Sequence, residues 1–164
     1  MSTPTAPGPP TLPPGTFRID RDGAWRHEGQ EVTHPGVLRN LYDNLRAEAA
    51  GHYLQIGPAR IPVEVEDAPF VVTRVETVTG SKDAGPSLRV HLTDGSAEAL
   101  DPATVWIGPN DAPYCRAKSG RFVARFAVAA WLQLAGLVEE EPGTGRLALV
   151  LGEQRTSLPR RASP

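Results

Sequence analysis

Glu64, Glu66 and Asp67 fall within four consecutive positions of the stretch Pro62 to Val72, which reads P-V-E-V-E-D-A-P-F-V-V. Carboxylates so close push one another's pKa apart, and such a group can supply a general acid and a general base or hold a divalent ion. The spacing qualifies that chemistry. Val63 and Val65 alternate with Glu64 and Glu66, the pattern of a half-buried strand with both glutamates on one face. Asp67, just before the corner at Ala68-Pro69, suits a local cap on backbone N–H groups. Perturbed carboxylates mark structural networks as well as active sites. The favoured reading is that Glu66 and Asp67 pair with Arg18, Arg39 or Arg60, fixing two halves of the chain together or orienting a ligand. A small hydrolase or lyase using Glu66 and Asp67 is the alternative.

The other reactive side chains offer less. His27, His34, His52 and His91 lie in different elements, none at the short spacing of a metal motif, so no metal or cofactor is expected. Asp20-Arg21-Asp22-Gly23 lacks the later oxygen ligands of a calcium loop, and Gly80-Ser81-Lys82 lacks the strand, spacing and helix of a phosphate loop. Cys115 is the single cysteine, which excludes an internal disulfide and a multi-thiolate site. Although Arg116 and Lys118 flank it, an inert strand cysteine is the expectation. Arg18, Trp25, Tyr53 and Arg60 are of the types that stack on bases and grip phosphates. Against a nucleic-acid partner stands the balance of 17 Lys+Arg and 19 Asp+Glu, a net charge of −2 that attracts no polyanion.

The elements that carry these residues follow from turn residues and periodicity. With 164 residues and 40% hydrophobic content the chain can build one ordinary domain or two small ones. Residues 1–16 form a Pro-rich leader, expected to be disordered, with neither the basic start nor the apolar block of a signal peptide. Phe17 and Ile19 alternate with Arg18 and Asp20, Asp22-Gly23 turns the chain, and Trp25 opens the return strand. Pro35 begins a helix with the stripe Val37, Leu38, Leu41, Tyr42 and Leu45, running to a stop at Gly51. Gly57-Pro58 turns a second hairpin, and the strands after Phe70 form a meander. Ser119 caps a second helix with the stripe Val123, Phe126, Ala127, Ala130, Trp131 and Leu134, ending at Gly136. Phe122, Val128 and Leu132 lie off that stripe, so this helix is expected to be sandwiched or to make a homodimer or protein contact. A last hairpin turns at Gly152, before a flexible tail at 159–164. The apolar run Phe122 to Val138 is interrupted and short of the roughly 20 residues a spanning helix needs, so no membrane partner and a cytoplasmic location are expected.

Both halves read as hairpin, helix, hairpin, with the segment Gly51 to Val63 set against Gly145 to Leu158, the order of a degenerate duplication. The fold class is α+β: two related small subdomains, residues 17–60 and 61–158, each an antiparallel sheet with one packed helix. Pockets prefer junctions between such units. The stretches R-I-D-R-D-G-A-W-R-H-E-G from Arg18 and V-E-V-E-D-A-P-F from Val63 resemble the two characteristic stretches of a bacterial family, domain of unknown function 1285. The resemblance implies a duplicated core with a pleckstrin-homology-like C-terminal half, no assigned enzymatic activity, and a nucleotide-type ligand at the subdomain interface with a role in signalling. It implicates Asp20, Trp25 and His27 from the first stretch and Glu66, Asp67 and Phe70 from the second. With Arg18 and Arg60 from the residue reading, these make up the candidate ligand set.

Overall fold

The structure, a computed structural model, describes residues 16–162. The leader at 1–15 and the last two residues of the tail lie outside the described residues. The chain divides between Glu66 and Asp67 into two compact units.

In the first unit, β1 (Phe17–Ile19), β2 (Trp25–His27) and β3 (Gln30–Glu31) form one antiparallel meander. Asp20 builds the first turn: its Oδ1 accepts from the N–H groups of Asp22 and Ala24, both at 3.0 Å, and Gly23 takes the positive φ of 86° that the turn requires. After α1 (Pro35–Asn44), a second meander of β4 (Leu45–Glu48), β5 (Gly51–Ile56) and β6 (Ala59–Val65) returns the chain. β6 then lies parallel to β1, with Arg18 opposite Glu64, giving the sheet order β3-β2-β1-β6-β5-β4. Phe17, Ile19, Trp25, Leu41, Leu45, Leu54 and Val63 are buried as its core.

The helix ends sooner than its stripe predicts. His34, through Nδ1, accepts from Gly36 and Val37 at the N-terminus, but at the other end Leu45 is already extended and its N–H bonds the carbonyl of Tyr42. Leu45 is buried as the first residue of β4, and the exposed Arg46, Ala47 and Glu48 have no large apolar side chain to pack a longer helix and instead complete the ladder beside β5.

The second unit repeats the same strand plan. β7 (Phe70–Val78), β8 (Ser87–Leu92) and β9 (Ala97–Leu100) make one meander; β10 (Trp106–Ile107), β11 (Pro113–Ala117) and β12 (Phe122–Phe126) make another. β12 lies parallel to β7, and the order is β10-β11-β12-β7-β8-β9. In each sheet, then, the first and sixth strands pair in parallel while every other pair is antiparallel. The backbone repeats in detail: Glu66 N–H donates to Ile19 O and Ala127 N–H donates to Val72 O, both at 2.9 Å. The core is duplicated and α+β, as expected, but the units correspond differently from the sequence alignment. β5–β6 matches β11–β12, not the hairpin of β14 (Leu147–Leu151) and β15 (Gln154–Leu158), and the place of α1 is held by the single 3₁₀ turn Pro102–Thr104. With β13 (Val138–Glu140), that last hairpin forms a separate three-stranded sheet.

The second helix is also shorter than read. α2 spans Val128–Ala135, and Phe122–Phe126 is strand. Phe122, Ala124 and Phe126 alternate as buried residues, and pairing with both β7 and β11 satisfies their backbone, so the two-residue period prevails over the helical one. Ser119 is therefore no cap; with Lys118 and Gly120 it supplies the positive φ angles, 58°, 55° and 81°, of the β11–β12 turn. Pro159 and Arg161, in the tail, bond Ile107 on edge strand β10, at 2.8 and 2.9 Å.

Candidate functional site

The strand pairing of the first unit gathers charge on the face opposite its core. Because β1 and β2 pair with Arg18 opposite Arg26, and β1 and β6 with Arg18 opposite Glu64, the three side chains stand in a row across adjacent strands. They line a groove of about 510 Å³ together with Thr16, Asp20, Gly29 and Glu66. Arg18 pairs with Glu66 at 3.4 Å, and the Glu66 carboxylate also accepts from the N–H of Arg21 at 3.0 Å. Arg26 pairs through Nε with Asp20 at 3.2 Å. Two guanidiniums on neighbouring strands, each set by a carboxylate, present several N–H donors to one space; this is an arrangement suited to a phosphate or carboxylate group.

Arg18, Asp20 and Glu66 of the candidate set thus meet in one groove. The remaining residues lie elsewhere. Trp25 is core, its ring edge-on to Tyr42 at 5.5 Å, and its buried indole N–H has no partner among the described residues. His27 is half-buried with its ring 4.8 Å from that of Phe17. Arg60 lies over the ring of Tyr53 at 4.3 Å, donates to its hydroxyl at 3.0 Å and pairs with Glu48 at 3.4 Å, beside a second depression of about 340 Å³. His52 lines that depression, and its burial lowers its pKa below the ordinary 6.5.

Asp67 and Phe70 belong to the second unit. Phe70 is buried against Phe122 at 5.2 Å. The Asp67 carboxylate accepts from the Tyr114 hydroxyl, at 2.8 Å on Oδ1 and 3.0 Å on Oδ2, with Arg125 at 3.5 Å. The expected pairing therefore holds for Glu66 with Arg18, while the partner of Asp67 is Arg125 instead of Arg18, Arg39 or Arg60. Tyr114 in turn stacks on Trp106 at 5.6 Å, so Asp67 anchors a small core cluster with Ala68.

Sequence reasoning missed Arg26 and left Glu64 out of the candidate ligand set. The signal was present in the Asp-Gly turn: a hairpin closed at Asp20 to Ala24 sets Arg26 opposite Arg18 by counting. Lys118, Asp94 and Ser96 also went unread. Lys118 Nζ lies 2.5 Å from Asp94 Oδ2 and donates to Ser96 Oγ at 2.7 Å. Burial alone would raise the Asp94 pKa, but hydrogen bonds from Lys118 and Ser96 outweigh it and leave the group below its ordinary value. The cluster ties the β8–β9 turn to the β11–β12 turn. Cys115 is buried, and burial pushes its thiol up to about 12, which leaves it inert at neutral pH. Among the described residues no three His, Cys, Asp or Glu side chains gather as a metal site, and no helix is long and apolar enough to cross a membrane.

Neither a family model nor a curated protein matches the chain. Solved structures do. A DUF1285 family protein from Silicibacter pomeroyi superposes with a TM-score of 0.71 at 24% identity, covering 94% of this chain and 89% of that one. Another from Shewanella baltica gives 0.60 at 16% identity, covering 74% and 91%. The chain has the fold of these DUF1285 proteins. That likeness agrees with the resemblance carried by the Arg18 and Val63 stretches, and it names no ligand or reaction.

Proposed function

We propose that the chain is a non-catalytic ligand-binding or regulatory module that takes a small anionic ligand, nucleotides included, in the groove of its first unit. The observation that carries this reading is the Arg18–Arg26 pair, register partners on β1 and β2 that open onto about 510 Å³ of space. Asp20 and Glu66 hold the guanidiniums in place, and ligands exchange with these half-exposed ion pairs at little cost, since such pairs contribute only about 0–1 kcal/mol each. An enzyme using Glu66 and Asp67 has less support: one carboxylate serves Arg18 and the Arg21 N–H, the other Tyr114 and Arg125.

A thermal-shift series of nucleotides and small phosphate esters tests the reading. At a hundredfold excess over Kd a ligand adds about 2.7 kcal/mol of stability, a rise of several degrees. Arg18→Gln with Arg26→Gln is expected to remove that rise, and an unresponsive wild-type protein would contradict the proposal. A second reading has its own observation: α2 exposes Val128 and Leu132, at 74% and 67%, four residues apart on one face. If that face makes a homodimer, light scattering will give twice the monomer mass and Leu132→Lys will halve it.

A further inference from the structure

The charges lining the groove do not cancel. Arg18 and Arg26 face Asp20, Glu64 and Glu66. Glu66 is taken by Arg18 and Asp20 by Arg26, while the Glu64 carboxylate has no ion pair or hydrogen bond among the described residues. The register sets the order Arg26, Arg18, Glu64 across β2, β1 and β6, neighbours standing about one strand spacing, ~4.8 Å, apart. A bare anion drawn to the arginines therefore meets an uncompensated carboxylate one strand away. A molecule with an ammonium group about that far from its anionic group converts the repulsion into an ion pair.

Granting that the groove binds an anion through Arg18 and Arg26, we propose that its ligand is zwitterionic, a phosphate ester carrying an ammonium group, with Glu64 as the specificity-determining residue. The phosphate spans the two guanidiniums and the ammonium lies against Glu64. Inorganic phosphate, or a nucleotide whose base and ribose are neutral, keeps the two arginine contacts but offers nothing to Glu64.

Isothermal titration of the full chain with inorganic phosphate, AMP and O-phosphoethanolamine tests this. O-phosphoethanolamine is expected to bind about tenfold more tightly than the other two, and Glu64→Gln to erase most of that preference without weakening phosphate. Because Glu64 is exposed and unpaired, the variant should melt within a degree or two of the wild type. Equal affinity for all three probes, or an unchanged preference in Glu64→Gln, overturns the assignment while leaving the anion site standing. If no probe binds, or if binding survives Arg18→Gln with Arg26→Gln, the anion site itself falls and this inference with it. Phosphatidylethanolamine vesicles form the last arm. Glu64-dependent co-sedimentation would assign the zwitterion to a lipid headgroup, and binding of the free ester alone would assign it to a soluble metabolite.

Discussion

Asp67 shows how a residue chosen for its chemistry can be explained by packing. Its side chain is only 13% exposed and takes the Tyr114 hydroxyl on both oxygens. Tyr114→Phe should therefore cost about 2 kcal/mol, the value of a hydrogen bond to a charged group, read as a lower urea midpoint at constant m. His52 gives a pH dependence. Its folded pKa lies below the unfolded 6.5, so it contributes stability that is fully present above 6.5 and is lost as pH falls through the folded value. Asp94, held below 3.8, acts in the same direction at lower pH. Melting temperature should thus decline on acidification from pH 7, and His52→Gln should flatten the part of the decline that lies just below pH 6.5. A decline of unchanged shape in that variant would show that His52 has no part in it.

Among elements, α2 separates buried from exposed leucines. Leu134 is fully buried and Leu132 is 67% exposed, so Leu134→Ala should cost about 2–5 kcal/mol and Leu132→Lys less than about 0.5 in a monomer. Chemical denaturation of the two variants checks the difference. Hairpins were legible in the sequence because their information is local: Asp22-Gly23, Gly57-Pro58 and Gly152 each fix a turn and its register. The parallel pairings were not. β12 takes its conformation from β7, far away in the chain, and Phe122, Ala124 and Phe126 satisfy a strand period while Val123, Phe126 and Ala130 satisfy a helical one. Only the tertiary partner separates the two. Leu45 poses the same ambiguity at the end of α1, where β5 decides it.

For the whole chain, a duplicated strand plan was readable as an order of elements, but its alignment was not, since α1 lies inside the first copy whereas α2 follows the second. The copies have also diverged in what they do with charge. At the parallel joint of the first unit Arg18 faces Glu64 across an open groove; at the same joint of the second, Val71 is paired with Arg125, whose guanidinium is taken by Asp67 from within the chain. Of the candidate site, Arg18, Asp20 and Glu66 could be found from residue type, whereas Arg26 and Glu64 needed the register that places them. The function proposed rests on that register. Its most direct test is a ¹⁵N-correlated NMR titration of the full chain with AMP and O-phosphoethanolamine. Saturable shifts confined to the amides of residues 16–20, 26–29 and 64–66 are predicted for both ligands. The absence of any saturable shift, or a response centred on Arg60 or in the second unit, would contradict it.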